Sequence, residues 1–214
     1  MNINKYDTII LDCDGVIFDS NYLKINAFEQ TLKELNFEKK YIKEFVNYFK
    51  NNFGISRYKL AQYFIKDIIG QFNNNMLYEE IINLYSKKSF ELYKKASFTE
   101  RLLEFLKKYQ NKNLFIASGS DEEELREIFK LKKIDKYFIN IFGSPKNKSD
   151  IVGEIVKKNK NSIMIGDAFS DINATIKNNI DFIFMSQYST NEELKRRNDL
   201  VIINNLGELI WVKL

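Results

Sequence analysis

The sequence predicts an α/β fold, in which a doubly wound parallel sheet carries a helical domain inserted after its first strand. From about residue 97 onward, short apolar runs typical of buried parallel strands alternate with segments of helical periodicity. Between residues 19 and 96 this alternation stops, and apolar side chains recur at helical spacing alone. Because this segment is too long for a crossover connection, we expect a helical cap domain at 19–96 and a core domain formed by 1–18 and 97–214.

The strands of the core are predicted from apolar runs bounded by polar or turn residues. These runs are Thr8–Leu11, Leu114–Ala117, Phe138–Phe142, Ile163–Ile165, Phe182–Phe184 and Leu200–Ile203. Segments of helical periodicity between them predict the helices of the core. These segments are Glu100–Tyr109, Glu122–Lys130, Asp150–Lys158, Asp171–Asn178 and Asn191–Arg197. Such an alternation implies right-handed crossovers between parallel strands.

The inserted segment contains stripes of apolar residues at the spacing of amphipathic helices. The stripes run from Leu23 to Leu35, from Ile42 to Phe49, from Leu60 to Ile68 and from Leu77 to Phe90. Turn-forming residues, among them three consecutive asparagines at 73–75, interrupt the pattern. We expect the aromatic residues of these stripes to pack against one another rather than to bind a cofactor.

The composition excludes several kinds of functional site. The chain has one cysteine, Cys13, and no histidine, which excludes an intrachain disulfide, a Ser-His-Asp triad and a metal site built on histidine or a cysteine cluster. The net charge of +4 is small and the basic residues are spread out, so we expect no nucleic-acid partner. The N-terminal apolar run is too short for a signal peptide, and no run is long enough to span a membrane. We expect a cytoplasmic protein with no membrane partner, and the sequence predicts no particular oligomeric state.

Two aspartates follow the first predicted strand, in the sequence Asp12-Cys13-Asp14-Gly15. Ligands of open α/β sheets bind at the carboxyl ends of the strands, so both carboxylates stand where a site is expected. Carboxylates this close repel each other unless a cation, a proton or hydrogen-bond donors compensate their charge. Gly15 would allow the chain to turn sharply after the pair.

The second predicted strand ends in Ser118-Gly119-Ser120. Ser120 and Glu123 have the spacing of a capping box, which predicts that a helix begins at Ser120. A turn from strand to helix directs backbone N–H groups, together with the Ser118 hydroxyl, toward an anion.

The third and fourth predicted strands each end in residues suited to phosphate or metal chemistry. Lys146 and Lys148 precede a helix that Ser149 or Asp150 is predicted to open, and a lysine there would be a point charge for a phosphate or an aspartate. Asp167 and Asp171 follow the fourth strand. Carboxylates of this kind suit a hard cation such as Mg²⁺.

With these four motifs in this order, the chain resembles the haloacid dehalogenase-like hydrolase superfamily over essentially its whole length. The inserted helices resemble the cap of the phosphoglycolate phosphatase and β-phosphoglucomutase type. The resemblance implies a Rossmann-like core and a phosphomonoester hydrolase that acts through an aspartyl-phosphate. Gly54-Ile55-Ser56-Arg57 is similar to the substrate-recognition loop of that cap.

The resemblance also implies roles for individual residues. Asp12 would be the nucleophile, and Asp14 would protonate the leaving oxygen and then deprotonate the attacking water. Mg²⁺ would be held by Asp12, the Asp14 backbone carbonyl and Asp167, with Asp171 as a ligand directly or through water.

Three further groups would hold the phosphoryl oxygens: the Ser118 hydroxyl, the Gly119 amide and a lysine. Lys148 fits the form Gly-Ser-Pro-x-x-Lys, whereas Lys146 would align with a Lys-Pro-x-Pro form, but no proline follows it here. We therefore predict that Lys148 is the phosphate-site lysine.

The substrate is expected to be a small phosphorylated metabolite, in particular a sugar or sugar-acid phosphate. Arg57, Lys24 and Asn21 are the candidates for contacts to its non-reacting part, and Arg57 could bind a second anionic group through both edges of its guanidinium.

Other functions remain as alternatives. A mutase similar to β-phosphoglucomutase is one, although such mutases carry a histidine where this chain has Lys24. Dehalogenases typically lack the second aspartate of the first motif, which is present here as Asp14. A non-catalytic phosphate-binding protein is a further alternative, but the order of the motifs and the chain length disfavour a two-component receiver domain.

Overall fold

A computed structural model describes residues 2–210 of the chain. In this part of the chain, parallel strands form one six-stranded sheet in the order β3-β2-β1-β4-β5-β6. The strands are β1 (Thr8–Leu11), β2 (Asn113–Asp121), β3 (Asn140–Ser144), β4 (Ser162–Gly166), β5 (Asp181–Met185) and β6 (Val201–Ile203). The predicted α/β, Rossmann-like doubly wound sheet is thus confirmed, and β1 lies near its centre.

Two strands differ from their predicted limits. β2 continues to Asp121 because its polar end pairs with β3 after a shift of register that follows Ala117. β3 begins at Asn140 instead of Phe138, since the preceding residues form a single 3-10 turn, Asp135–Tyr137, and its exit. The extra length of β2 matters for function, because Ser118, Gly119 and Ser120 lie within a strand.

The helices alternate with the strands in the core and follow one another in the inserted segment. They are α1 (Asn21–Glu34), α2 (Lys39–Asn51), α3 (Arg57–Tyr63), α4 (Asn75–Lys95), α5 (Leu102–Lys108), α6 (Glu122–Leu131), α7 (Lys148–Lys158), α8 (Phe169–Asn178) and α9 (Gly207–Ile210). A π-helical turn, Phe64–Ile68, extends α3. Among the described helices, none has both the length and the apolar character that a membrane crossing requires.

One predicted helix is wrong. Asn191–Arg197 forms only a 3-10 turn, Leu194–Arg196. The Asn191 side chain accepts a hydrogen bond from the Leu194 amide and so starts the turn, but the backbone becomes extended at Arg197.

Helices α1 to α4 pack around an apolar cluster of their own, separate from the cluster under the sheet. Its centre is aromatic, since the Phe28 ring lies 4.5 Å from Phe45 and 4.4 Å from Tyr85, centroid to centroid. Burying each such ring stabilises the fold by about 1.5–3 kcal/mol. These helices fall within 19–96, and the exact limits of the cap domain stay a prediction.

The chain enters and leaves the cap through two segments that lie side by side. The Asp19 amide donates to the Ser97 carbonyl at 3.0 Å, and the Thr99 amide donates to the Ile17 carbonyl at 3.0 Å. Tyr93, near the end of α4, is buried in the core cluster instead of the cap cluster. The end of α4 is thereby fixed next to the residues that follow β1.

Candidate active site

The first motif begins at the carboxyl end of β1, at the centre of the sheet. Asp12 continues the parallel pairing, because its amide donates to the Ile165 carbonyl of β4 at 3.0 Å. Its side chain is only 2% exposed. The nucleophile candidate is therefore held beside the strand that carries Asp167.

Three carboxylates meet at this point. One carboxylate oxygen from each of Asp12, Asp167 and Asp171 lies within 4.8 Å of the other two, and all three residues are buried. Asp171 is oriented by the start of α8, since its Oδ2 accepts hydrogen bonds from the amides of Asp167 at 3.1 Å and Ala168 at 3.0 Å. The carboxyl ends of β1 and β4 thus bring the first and fourth motifs together.

A buried lysine joins the three carboxylates. Lys148 Nζ lies 2.9 Å from Asp12 Oδ1 and donates to Asp171 Oδ1 at 2.6 Å. Lys146, in contrast, is partly exposed and pairs with Glu154. The structure therefore brings Lys148, and not Lys146, to the carboxylate cluster.

The position of Lys148 depends on how α7 begins. Asn147 is the N-cap, and its side chain accepts a hydrogen bond from the Ser149 amide at 3.1 Å. The prediction that Ser149 or Asp150 opens this helix is thus wrong, because the cap lies earlier in the chain. As the first residue of α7, Lys148 extends its side chain toward Asp12 and Asp171.

The charges of this cluster are not balanced. Burial, together with the neighbouring Asp171 carboxylate, raises the pKa of Asp12 to about 7, although Lys148 opposes the shift. Burial and the Asp12 carboxylate raise the pKa of Asp167 well above its usual value. Asp12 Oδ1 touches Lys148 without hydrogen-bond geometry and accepts no hydrogen bond among the described residues. The cluster thus has an excess of negative charge, which a cation would compensate.

The Asp14 carboxylate is not part of this cluster, and a separate buried network surrounds it. Its Oδ1 accepts hydrogen bonds from Ser20 Oγ and the Tyr93 hydroxyl, each at 2.6 Å. Its Oδ2 accepts from Lys24 Nζ at 2.8 Å and from Ser120 Oγ at 2.9 Å. Burial alone would raise the pKa of Asp14, but Lys24 and these donors outweigh it and lower the pKa below its usual value.

Ser120 belongs to this network and does not cap a helix, so the predicted capping box is wrong. Asp121 is the N-cap of α6, and its side chain accepts from the Glu124 amide at 3.1 Å. Because β2 continues past Ala117, the Ser120 side chain is buried beside Asp14. Ser118 is buried as well, and its hydroxyl accepts from the Ser120 amide at 3.1 Å.

A loop of the cap is seated directly over the site. Gly54 has a φ of +81°, and a Cβ placed on it would lie 1.9 Å from Ser170 Oγ and 3.2 Å from Lys148 Nζ. A Cβ on Gly119 would lie 2.3 Å from the Gly54 carbonyl oxygen. Only glycine at both positions lets cap and core approach this closely. A cleft of about 270 Å³ opens beside the loop, lined in part by Lys59, Lys146 and Asn173.

The predicted substrate-binding side chains make internal contacts in this structure. Lys24 is bonded to Asp14, as described above. Asn21 donates to Asp167 Oδ2 at 2.5 Å and to the Tyr188 carbonyl at 3.0 Å. Arg57 forms a bidentate pair with Glu124, in which both N···O distances are 2.6 Å.

A family comparison decides what kind of protein this is. The model of the haloacid dehalogenase-like hydrolase family matches residues 9–185, which include the carboxylate cluster, Lys148 and the Asp14 network. The chain belongs to this family. The predicted enzyme class, a hydrolase of this superfamily, is confirmed.

Solved structures with a similar fold cover nearly the whole hydrolase. A predicted phosphoglycolate phosphatase from Haemophilus somnus has a TM-score of 0.76 at 15% identity, over 98% of each chain. A predicted phosphatase from Clostridium acetobutylicum has a TM-score of 0.73 at 20% identity, over 96% of each chain. CbbY from Rhodobacter sphaeroides, in complex with phosphate, has a TM-score of 0.74 at 13% identity, over 95% of this chain and 96% of its own. At such low sequence identities, the similarity to these structures shows a common fold and nothing about activity. A search of curated protein sequences found no match to the chain.

Some residues of the hydrolase site were not found by sequence reasoning. Tyr93 lies just after the last apolar stripe of the inserted segment, where an aromatic residue is expected only to pack, and a glutamate such as Glu124 in the first turn of a helix is expected to face solvent. Ser20 occupies the N-cap position of α1, but its hydroxyl turns to Asp14 instead of an α1 amide. Ser20 follows the first motif closely, so its nearness to Asp14 is the one signal that could have singled it out.

Gly15 offers a test of how tightly the hydrolase site is built. It has a φ of +77°, and an added Cβ would lie 2.2 Å from Asp167 Oδ2 and 2.7 Å from Asn21 Nδ2. We expect Gly15→Ala to lower the free energy of unfolding by about 3 kcal/mol, through backbone strain and overpacking together. Gly70 is the matched control, since its φ is +67° but nothing lies within 4 Å of the added Cβ.

For Gly70→Ala the strain alone is expected to cost about 1 kcal/mol. Urea denaturation of both variants in the same buffer measures the difference. Equal losses in the two proteins would show that Asp167 and Asn21 do not crowd Gly15.

Proposed function

We propose that this hydrolase is a Mg²⁺-dependent phosphatase that cleaves a small phosphorylated metabolite through an aspartyl-phosphate on Asp12. The observation that carries the proposal is the meeting of three buried carboxylates with Lys148 at the central strand ends. Carboxylates and a lysine are the groups that phosphoryl transfer uses for attack and charge neutralisation.

The residues of the cluster fit a divalent cation. Asp12 and Asp167 have raised pKa values because burial and neighbouring carboxylates disfavour their charged forms, and Lys148 compensates this only in part. We propose that Asp12, Asp167 and Asp171 hold Mg²⁺, with the Asp14 backbone carbonyl as a further predicted ligand. Bound there, the cation supplies the charge that allows a carboxylate to approach an anionic phosphate.

Asp12 acts as the nucleophile in this proposal. Its carboxylate oxygen forms a bond to phosphorus while the bond from phosphorus to the leaving oxygen breaks. Lys148, already 2.9 Å from Asp12, is placed to hold a phosphoryl oxygen next to it. The Ser118 hydroxyl accepts from the Ser120 amide, which leaves its own proton for another phosphoryl oxygen, and the Gly119 amide is the third proposed donor.

Asp14 supplies and removes protons in this proposal. It protonates the leaving oxygen and later takes a proton from the water that attacks the aspartyl-phosphate. In the present conformation its lowered pKa keeps it ionised, which suits the second of these tasks. The first requires that Asp14 take up a proton and leave its contact with Lys24.

The state of Lys24 favours hydrolysis over a mutase reaction. Burial alone would lower the pKa of Lys24, but the Asp14 carboxylate raises it above the usual value. Lys24 therefore stays a cation near neutral pH, and it cannot replace the histidine that the resembling mutases use as a proton donor and acceptor. The similar folds named as phosphatases and the phosphate complex agree with a phosphate substrate.

The cleft beside the cap loop supports a small substrate. Its volume of about 270 Å³ is close to the lower end of the range for small-molecule pockets, which suits a small metabolite. Lys59, Lys146 and Asn173 line it, which suits the hydroxyl and carboxylate groups of a sugar or sugar-acid phosphate.

A screen for phosphate release tests this function. We expect inorganic phosphate from p-nitrophenyl phosphate and from at least one member of a panel of sugar phosphates, nucleotides, phosphoglycolate and β-glucose 1-phosphate. Product analysis must show the dephosphorylated alcohol. An isomeric sugar phosphate as the main product would support the mutase instead, and binding of the panel without any release would support a non-catalytic phosphate-binding protein.

A further inference from the structure

A charged contact joins the cap to the core at the edge of the site. Arg57 is the first residue of α3 in the cap, and Glu124 lies in the first turn of α6 in the core. Arg57 Nη1 and Nη2 donate to the two oxygens of Glu124, each at 2.6 Å. Nη1 also donates to Ser86 Oγ of α4 at 2.6 Å. The guanidinium thus has partners in both the cap and the core.

The Arg57 side of this contact is buried, and the Glu124 side is half-buried. Arg57 is 4% exposed, and its guanidinium carbon lies 5.3 Å from the centre of the Tyr85 ring. The next residue, Tyr58, donates from its hydroxyl to Oδ2 of Asp121, the N-cap of α6, at 2.9 Å, which forms a second bond between α3 and the core. A buried guanidinium is costly to leave without its partner, so the bidentate contact favours a seated cap over a displaced one.

One member of the ion pair, Arg57, directly follows the loop that covers the site. Residues 54–56 directly precede Arg57, and Gly54 packs against Gly119, Ser170 and Lys148. Because only two residues separate Gly54 from Arg57, fixing Arg57 fixes where this loop can lie. Glu124 lies four residues after Ser120, whose hydroxyl donates a hydrogen bond to Asp14. The Arg57–Glu124 pair, called the latch below, is therefore close along the chain to the loop over the site and to a hydrogen-bond partner of Asp14.

We propose that Glu124 is a positioning residue which, through Arg57, holds the 54–56 loop closed over Asp12 and Lys148. Its effect on catalysis rests on the function proposed above. Both terminal nitrogens of Arg57 are committed to this pair, so Arg57 does not serve as a subsite for a second anionic group.

The experiment compares Glu124→Gln, Arg57→Gln and the double variant, with Glu123→Gln as the control. Glu123 is exposed on the same helical turn and has the same charge. The first measurement is hydrogen exchange, without substrate, of the amides of residues 60–63 in α3, the first of which, that of Leu60, donates to the Ser56 carbonyl of the loop at 3.0 Å. We expect each single variant to exchange about tenfold faster or more in this segment, the double variant to be no faster than the faster single one, and the control to match the wild type.

The second measurement is kcat and KM for p-nitrophenyl phosphate. Loss of the latch is expected to lower kcat about tenfold or more in both single variants, since misplaced groups lose the benefit of orientation. The double variant should equal the single ones, and the exchanged pair Arg57→Glu with Glu124→Arg should recover part of kcat. If Glu124→Gln does not fold, Glu124→Asp keeps the charge, shortens the side chain and gives the same comparison.

Three results would overturn the proposal. Unchanged exchange of residues 60–63 in Glu124→Gln would show that the pair does not hold the start of α3 and the loop before it. Full additivity of the two single variants would show that they do not act together. A rise of KM for doubly anionic substrates in Arg57→Gln, with kcat unaffected in Glu124→Gln, would make Arg57 a substrate-binding residue. Absence of phosphate release by the wild type would reject the proposed function only. Hydrogen exchange tests the latch without any catalytic activity.

Discussion

Asp12→Asn is expected to lower kcat for phosphate release by roughly 10³-fold or more while leaving the protein folded. The neutral amide oxygen of asparagine is a poor nucleophile toward phosphorus, although the side chain keeps its shape. Folding should not suffer, because the substitution removes one of three buried negative charges and Asp12 is already hard to ionise in this place. Phosphate release from p-nitrophenyl phosphate in Mg²⁺ and circular dichroism measure the two effects.

Asp19→Asn is the control for this experiment. Asp19 lies in the same segment of the chain but is exposed, so the same change there should leave kcat within about twofold of the wild type. Turnover by Asp12→Asn comparable to that of Asp19→Asn would reject Asp12 as the nucleophile.

Lys148→Met is the second substitution with a large expected effect. Lys148 is buried between Asp12 and Asp171, and its loss leaves the carboxylates without their cation. Removing one partner of a buried ion pair costs about 3–5 kcal/mol, so we expect this loss in the free energy of unfolding of the metal-free protein. Mg²⁺ should offset part of the loss, because it compensates the same charges.

The control is Lys146→Met, two residues earlier. Its partly exposed pair with Glu154 should contribute less than about 1 kcal/mol. Urea unfolding of both variants and of the wild type, each in EDTA and in Mg²⁺, gives the loss in every case. Equal losses in the two variants, or a loss in Lys148→Met that Mg²⁺ does not reduce, would contradict the proposed charge balance.

The sequence could predict that the motifs after β1 and β4 and at the start of α7 lie together, because the topology of the sheet places them at the same edge. In a parallel sheet, the residues after β1 and β4 reach the same edge, and α7 begins at that edge as well. Asp12, Asp167, Asp171 and Lys148 are therefore neighbours once the strands are recognised. The family resemblance added the chemistry to this geometry.

The surroundings of Asp14 could not be predicted in the same way. Tyr93 reaches it from α4, 79 residues along the chain, and no periodicity distinguishes a packing tyrosine from one that donates a hydrogen bond. Ser120 looked like a helix cap because its spacing to Glu123 fits one, and only the pairing of β2 with β3 shows otherwise. Local patterns cannot report a contact that depends on where a whole domain is seated.

The same limit applies to Arg57. An arginine in a loop similar to a substrate-recognition loop indicates an anion partner, and the sequence could not tell a substrate from a carboxylate of the protein. The structure supplies that carboxylate as Glu124, on a helix of the core.

Calorimetric titration of Mg²⁺ into the metal-free protein tests the central claim most directly. The claim is that Asp12, Asp167 and Asp171 form one cation site at the strand ends. It predicts one Mg²⁺ per chain for the wild type, at least about tenfold weaker binding for Asp167→Asn, and unchanged binding for Asp150→Asn, whose exposed carboxylate pairs with Lys177. Absence of Mg²⁺ binding by the wild type, or equal binding by Asp167→Asn, would contradict it.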